Sequence, residues 1–284
     1  MRLAKLLCVA ALVVAMATLG SARDMKTDNQ TIAAEGAKRL DINCRFGAGI
    51  LTVRPVSTAD AARIDARYDA DRIDLDVDYR VRGETGRLDI ESEHHGSNVE
   101  TDDNQLTLNL SDKLPTDLSL KIGAAEGDVD LGGIPLSRLD LDIGAASGVI
   151  SFSKPNPQRL EEASISIGAS SANLRNFGNA NFDRLTCKVG AASSDLDFRG
   201  EYHGESEIIL SVGVASAEVI LPIGVPIRVE SSDSHFFSSV DIHGGDLDEI
   251  DDDIWESPGY QTAKDRILLR VKVGMGSVDL RWKK

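Results

Sequence analysis

The densest group of potential ligands in this 284-residue chain is GGDLDEIDDDIWE, Gly244 to Glu256. Clustered carboxylate oxygens suit a hard cation such as calcium. The spacing, however, matches neither a calcium-binding helix–loop–helix nor the glycine-rich nonapeptide repeat. The run therefore reads as a solvated loop. Within it Asp251, Asp252 and Asp253, with Trp255 and Tyr260, form a candidate partner-contact surface, because aromatics in exposed loops often anchor binding. A second set, Asp128, Asp130, Asp195, Asp197 and Glu218, offers carboxylates two residues apart. Glycosidases use such pairs at a set separation. Here the acids recur at positions where any polar residue would serve, and the aromatic platforms of sugar clefts are scarce. His94 and His95 are adjacent and point to opposite faces of a strand. His203, His235 and His243 lack the spacing of a zinc site, and no G-x-S-x-G elbow is present. No catalytic residue, cofactor or metal set is expected.

The elements that carry these residues repeat. Glycines at Gly47, Gly123, Gly144, Gly168, Gly190, Gly213 and Gly274 each open a small-residue corner. One position before the corner stand Phe46, Ile122, Ile143, Ile167, Val189, Val212 and Val273; the columns three and five before are equally apolar. Apolar positions two apart mark strands with one buried face. Six residues after the corner the pattern resumes at Val129, Ile150, Leu174, Leu196 and Val219. Each unit is thus strand, corner, strand and a variable connector. A unit with one apolar face cannot bury it alone, and stacking units builds a continuous core. The expected fold is all-β, a single-stranded β-solenoid of 21–24-residue rungs. The corner glycine is expected to supply positive φ. A phosphate-binding glycine loop is excluded, since no helix start or lysine follows. The Gly47 and Gly274 corners read as two residues shorter, as terminal caps would be. Residues 227–242 read as a degenerate unit with Ser231-Ser232 at its corner.

Residues 56–116 break the period and read as a β-meander, beginning with RIDLDVDYRVR. The expected organisation is a signal peptide (1–22), a linker (23–38), the first rung plus meander (39–116) and the repeat domain (117–284). Cys44 and Cys187 occupy the same inward column. With rungs stacked in order they lie four apart, about 19 Å, beyond the reach of a disulfide. Both should be buried free thiols.

MRLAK, an apolar run from Leu6 to Leu19 and the small residues Gly20-Ser21-Ala22 form a secretory signal pattern. Cys8 leaves with it. No later segment is apolar enough to span a bilayer, so a periplasmic or secreted protein is expected. Losing Arg2 and Lys5 takes the net charge from −15 to −17. Such a surface repels nucleic acid and suits basic partners.

With the rungs laid out, FGAGILTV, DLSLKIGAAEGDVDLGGIPLSRLDLDIGAASGVI and KVGMGSVDL resemble the toast-rack family of bacterial envelope proteins. Its relatives include putative-adhesin β-solenoid domains and the C-terminal domain of LiaF-like stress regulators. The resemblance implies the fold over nearly the whole mature chain and brings no catalytic residues. The chain lacks the membrane helices of LiaF-like proteins. It is read as an exported, non-enzymatic envelope-binding, adhesin-like or scaffold module whose partner is an envelope protein or surface glycan. The rivals are a soluble regulator of a membrane stress sensor and a carbohydrate-active enzyme.

Overall fold

The computed structural model describes residues 24–95, 104–169, 171–191, 193–233 and 238–284. The expected signal peptide, with Cys8, and His235 lie outside them. The fold is all-β, with short 3-10 turns at Phe177–Ala180 and Tyr260–Thr262. Among the described residues no helix is long and apolar enough to cross a membrane.

The strands before the corners stack side by side, all parallel, in one ladder. Its order is β5 (Thr85–His94), β2 (Arg39–Val56), β7 (Thr116–Asp130), β8 (Leu136–Ile143), β10 (Leu160–Ile167), β12 (Phe182–Val189), β14 (Glu205–Pro222), β19 (Arg266–Lys283) and β15 (Ile227–Asp233). The strands after the corners form a second parallel ladder. There the order is β6 (Asn104–Ser111), β2, β7, β9 (Ser147–Ser151), β11 (Ser171–Arg175), β13 (Ser193–Asp197), β14, β19 and β16 (Ser238–His243). The apolar columns of both ladders meet in one core. Three before the corner, Cys44, Leu120, Leu141, Ile165, Cys187, Leu210 and Val271 are all at most 2% exposed. On the connector side Phe152 packs edge-on to Phe177 at 5.1 Å, and Phe182 to Tyr202 at 6.2 Å.

The corner glycines have a different cause from the one expected. None of the seven takes a positive φ. Instead, six of them stack on the carbonyl of the preceding corner glycine, and Gly47 on that of Ser92 in β5. A Cβ at Gly123 would stand 2.3 Å from the Gly47 oxygen, at Gly168 2.9 Å from that of Gly144, and at Gly213 2.8 Å from that of Gly190. Hydrogen bonds running through the corner hold these carbonyls in place, as from Ala145 N–H to the Gly123 oxygen at 3.0 Å and from Ala191 N–H to that of Gly168 at 3.0 Å. Close approach of backbone, not handedness, selects glycine here.

Three further expectations change. The Gly47 and Gly274 corners are not shorter: Val53 pairs with Val129 and Leu280 with Val219, six past the glycine in each case. What differs is bulk four past the corner, where Leu51 and Val278 stand opposite Gly127 and Ala217. Nor does the last unit cap the stack. β19 lies between β14 and the degenerate unit β15–β16, bonded along both edges, so the segment with the weakest repeat pattern takes the end. Finally, the meander holds only in part. β4 (Ile73–Arg82) pairs antiparallel with β5, but β5 and β6 both run parallel to β2 and supply one more unit outside it. β3 (Ala62–Asp69) then pairs antiparallel with β6, and β1 (Met25–Ile32) with β3.

Candidate functional site

The two ladders present different outer faces. On the first, charges alternate from strand to strand and pair across it: Arg45 with Glu91 at 2.7 Å, Arg39 with Asp117 at 2.6 Å, Arg184 with Glu207 at 2.7 Å and Arg270 with Glu230 at 2.9 Å. This face is electrically self-satisfied. Its pairs are exposed, each worth little, and their main effect is to favour one register.

The second ladder does the opposite over its C-terminal half. Asp195, Glu218, Asp279 and Asp241 stand in register on four successive strands. Like charges directly opposite one another destabilise a sheet. Lys283 and Arg281 approach Glu218 at 3.0 and 3.8 Å and His243 approaches Asp279 at 3.1 Å, so the column is relieved along one margin. Beside it Ser193, Ser216, Ser277 and Ser239 make a parallel row of hydroxyls. At the corner Val214 and Met275, paired in register, are 64% and 50% exposed. An acidic column, a hydroxyl row and an apolar ridge thus share one flat face.

The acidic run is a hairpin rather than a loop. β17 (Asp248–Asp251) and β18 (Ile254–Glu256) pair antiparallel, and β18 pairs antiparallel with the outer edge of β15. Asp251 and Asp252 are exposed. Asp253 turns the chain with φ 60°, and its carbonyl accepts the Ser231 N–H at 2.9 Å. Trp255 is half-buried against the core. Tyr260 is only 6% exposed, with the Arg266 guanidinium 5.4 Å from its ring centre. Its ring is therefore held inside and Trp255 is the aromatic left near the surface. Among the described residues no three acids, histidines or cysteines converge in a way that could hold a metal.

The paired carboxylates are fixed by their neighbours. Asp130 accepts bonds from the Ser153 hydroxyl at 2.6 Å, Ser153 N–H at 3.1 Å and Gly132 N–H at 2.9 Å. Burial alone would push this carboxyl up, but these bonds outweigh it and hold it below the usual range. A general acid needs the reverse shift. Asp128 pairs with Arg54, and Asp197 is gripped by Arg199 at 2.8 and 3.0 Å. Cys44 and Cys187 are free and buried on strands four apart in the ladder, and burial pushes both thiols up to about 12. A hollow of 660 Å³ lies at the corner of β2, β5 and β7, where Arg45 and Lys121 face Glu91 and Asp142.

A family model described as the N-terminal domain of toast_rack, DUF2154, matches residues 21–175, more than half of the chain. The chain belongs to the toast-rack family. No curated protein matches it. Among solved structures, it is similar to a putative cell adhesion protein from Clostridium sporogenes, with 18% identity over 91% of this chain and 100% of that one, TM-score 0.46. A putative adhesin from Bacteroides fragilis aligns at 10% identity over 91% and 98%, TM-score 0.44. A putative lipid binding protein from Parabacteroides distasonis aligns at 13% identity over 90% and 96%, TM-score 0.38. Sequence reasoning had picked out Asp195 and Glu218 as recurring outward acids but missed their continuation to Asp279, which also stands five past a corner glycine, and to Asp241.

Proposed function

We propose that this toast-rack protein is an exported β-solenoid that works without catalysis, as an envelope-binding, adhesin-like or scaffold module. The in-register parallel ladders support the solenoid reading. The observation that carries the binding reading is the column Asp195–Glu218–Asp279–Asp241 on a partly apolar face, with Arg281 and Lys283 along one margin. Like charges held in register cost stability and are relieved when a basic surface covers them, whereas the self-paired face of the first ladder gains nothing from a partner. The downward shift of Asp130 weighs against the glycosidase rival.

The test is binding of the purified chain to envelope fractions from its own cells. Charge reversal at Glu218 and Asp279 is expected to lower the bound fraction about tenfold. Reversal at Glu162, on the outer face of the first ladder, should leave it unchanged. Equal effects from both faces would overturn the assignment. A single membrane protein recovered on the acidic face would favour the sensor-regulator reading, and recovery of glycan would favour adhesion.

A further inference from the structure

The two ladders end differently at the C-terminal side of the stack. The first runs on past β15 through β18 to β17. The second stops at β16, which among the described residues pairs with β19 alone. The first ladder therefore overhangs the second by two strands, about 10 Å, and leaves a notch along the edge of β16.

The side chains around the notch are those of an unfinished core. Elsewhere in the second ladder the inward residue six past the corner is at most 4% exposed, as at Val129, Ile150, Leu174, Leu196, Val219 and Leu280. On β16 the inward Val240 and Ile242 are only half-buried, as are Leu247, Trp255 and Trp282. Trp255 pairs with the fully buried Val229, and Trp282 with the fully buried Leu221. Cross-strand partners share a face, so both indoles point to the core side; Trp255 faces the place of the next strand of the second ladder, while Trp282 lies one strand inside it, against Gly245. At the opposite end that ladder is closed by two further strands, β3 and the polar β1. Among the described residues nothing plays this part beside β16. Unpaired edges of this kind template the addition of another strand.

We propose that the β16 edge is a docking site for an extended segment of a partner protein, added as a strand with alternating apolar and basic residues. This rests on the reading of the chain as a binding module and names the partner's chemistry. The alternation follows from the ladder. Residues of the incoming strand that point inward cover Val240 and Ile242. Those that point outward stand beside Asp241, at the end of the four-carboxylate column, while Glu249, in register with Trp255 on the inward face of the overhang, adds an acidic group on the notch side. A second copy of this chain is disfavoured as occupant, because joining two chains through β16 would bring their acidic β17 strands together.

The chain contains two tryptophans; Trp255 faces the notch, so its fluorescence, read in a Trp282→Phe background, reports on it directly. The probe is the peptide acetyl-Ser-Val-Lys-Val-Lys-Val-Ser-amide, titrated into the purified full-length chain. Saturable quenching or a blue shift with micromolar affinity is expected. Replacing both lysines of the peptide by glutamates, or making Asp241→Lys in the protein, should each weaken binding about tenfold or more. Asp128→Lys, on the same face but six strands away, should change it less than about twofold, with both variants melting like the parent. The proposal is overturned by no binding up to about 1 mM, by equal affinity for the glutamate peptide, by an unaffected Asp241→Lys, or by a sedimentation profile showing the free chain dimeric through this edge. Loss of peptide binding with retained envelope binding through Glu218 and Asp279 would reject the strand site alone and leave the broader function standing.

Discussion

Gly123→Ala and Gly127→Ala, four residues apart on β7, separate close approach from backbone handedness as the reason for the corner glycines. Neither position has a positive φ. A Cβ at Gly123 would lie 2.3 Å from the Gly47 carbonyl oxygen, whereas at Gly127 the nearest atom is 3.9 Å away. An ordinary contact needs 3.4 Å or more, so the first substitution must drive β2 and β7 apart by about 1 Å at the corner. Ladder bonds of ordinary length are lost at that displacement. Two such bonds at about 1 kcal/mol each and overpacking of about 1–3 kcal/mol, less about 0.5 kcal/mol gained from a stiffer unfolded chain, give a net loss of about 3 kcal/mol. For a chain of this size that lowers Tm by about 6 °C. Gly127→Ala carries only the entropic gain and should be neutral or stabilising by about 0.5 kcal/mol. Differential scanning calorimetry of the two variants decides the matter. If Gly123→Ala melts with Gly127→Ala, the stacked-carbonyl account of the corner is wrong.

Other outcomes follow from single contacts. Arg199→Ala leaves Asp197, whose side chain is 8% exposed, as a buried carboxylate without its guanidinium, and should cost about 3 kcal/mol by chemical denaturation. Cys44 and Cys187 should be silent to a thiol reagent at pH 8 until the chain is unfolded, and both should then react. Because burial raises these thiols from 9.0 to about 12, the native state keeps protons that the unfolded chain releases above its ordinary value. Their contribution to stability is thus present below pH 9 and is lost as the pH rises towards 12, which a Cys44→Ala, Cys187→Ala double variant should remove from the alkaline melting profile. Asp195→Lys turns a like-charged neighbour of Glu218 into an attractive one and should raise stability by about 0.5 kcal/mol at low salt, while weakening envelope binding.

Much of the stack was legible in the sequence because its physics is local. The period-2 columns around Leu120, Leu141 and Ile165 encode both the strand and its buried face, and the fixed distance to each glycine encodes the register. Spatial order was less legible. A strand such as β19 carries the same alternation whether it ends the stack or slots into it, and only the bonding on its second edge distinguishes the two. The unit made by β5 and β6 was hidden for a similar reason: β5 has the alternation, but Ser92, the register partner of Phe46, is followed by Glu93 where the other units have a glycine. The role of the glycines was misassigned because the sequence shows that a side chain is absent without showing what occupies its place. Asp195 and Glu218 already stood out as recurring acids, but the full column became visible only when Asp241 was placed beside Asp279, a neighbour 38 positions away in the chain.

The binding claim is tested most directly by site-specific photo-crosslinking in intact envelopes. A benzophenone side chain would be placed at Ser216 on the acidic face, at Trp255 in the notch and at Ser164 on the self-paired face. Adducts from Ser216 and Trp255, with none from Ser164, are the predicted result. Adducts of equal yield from all three positions, or from Ser164 alone, would contradict the assignment of the second ladder and its open edge as the binding surface.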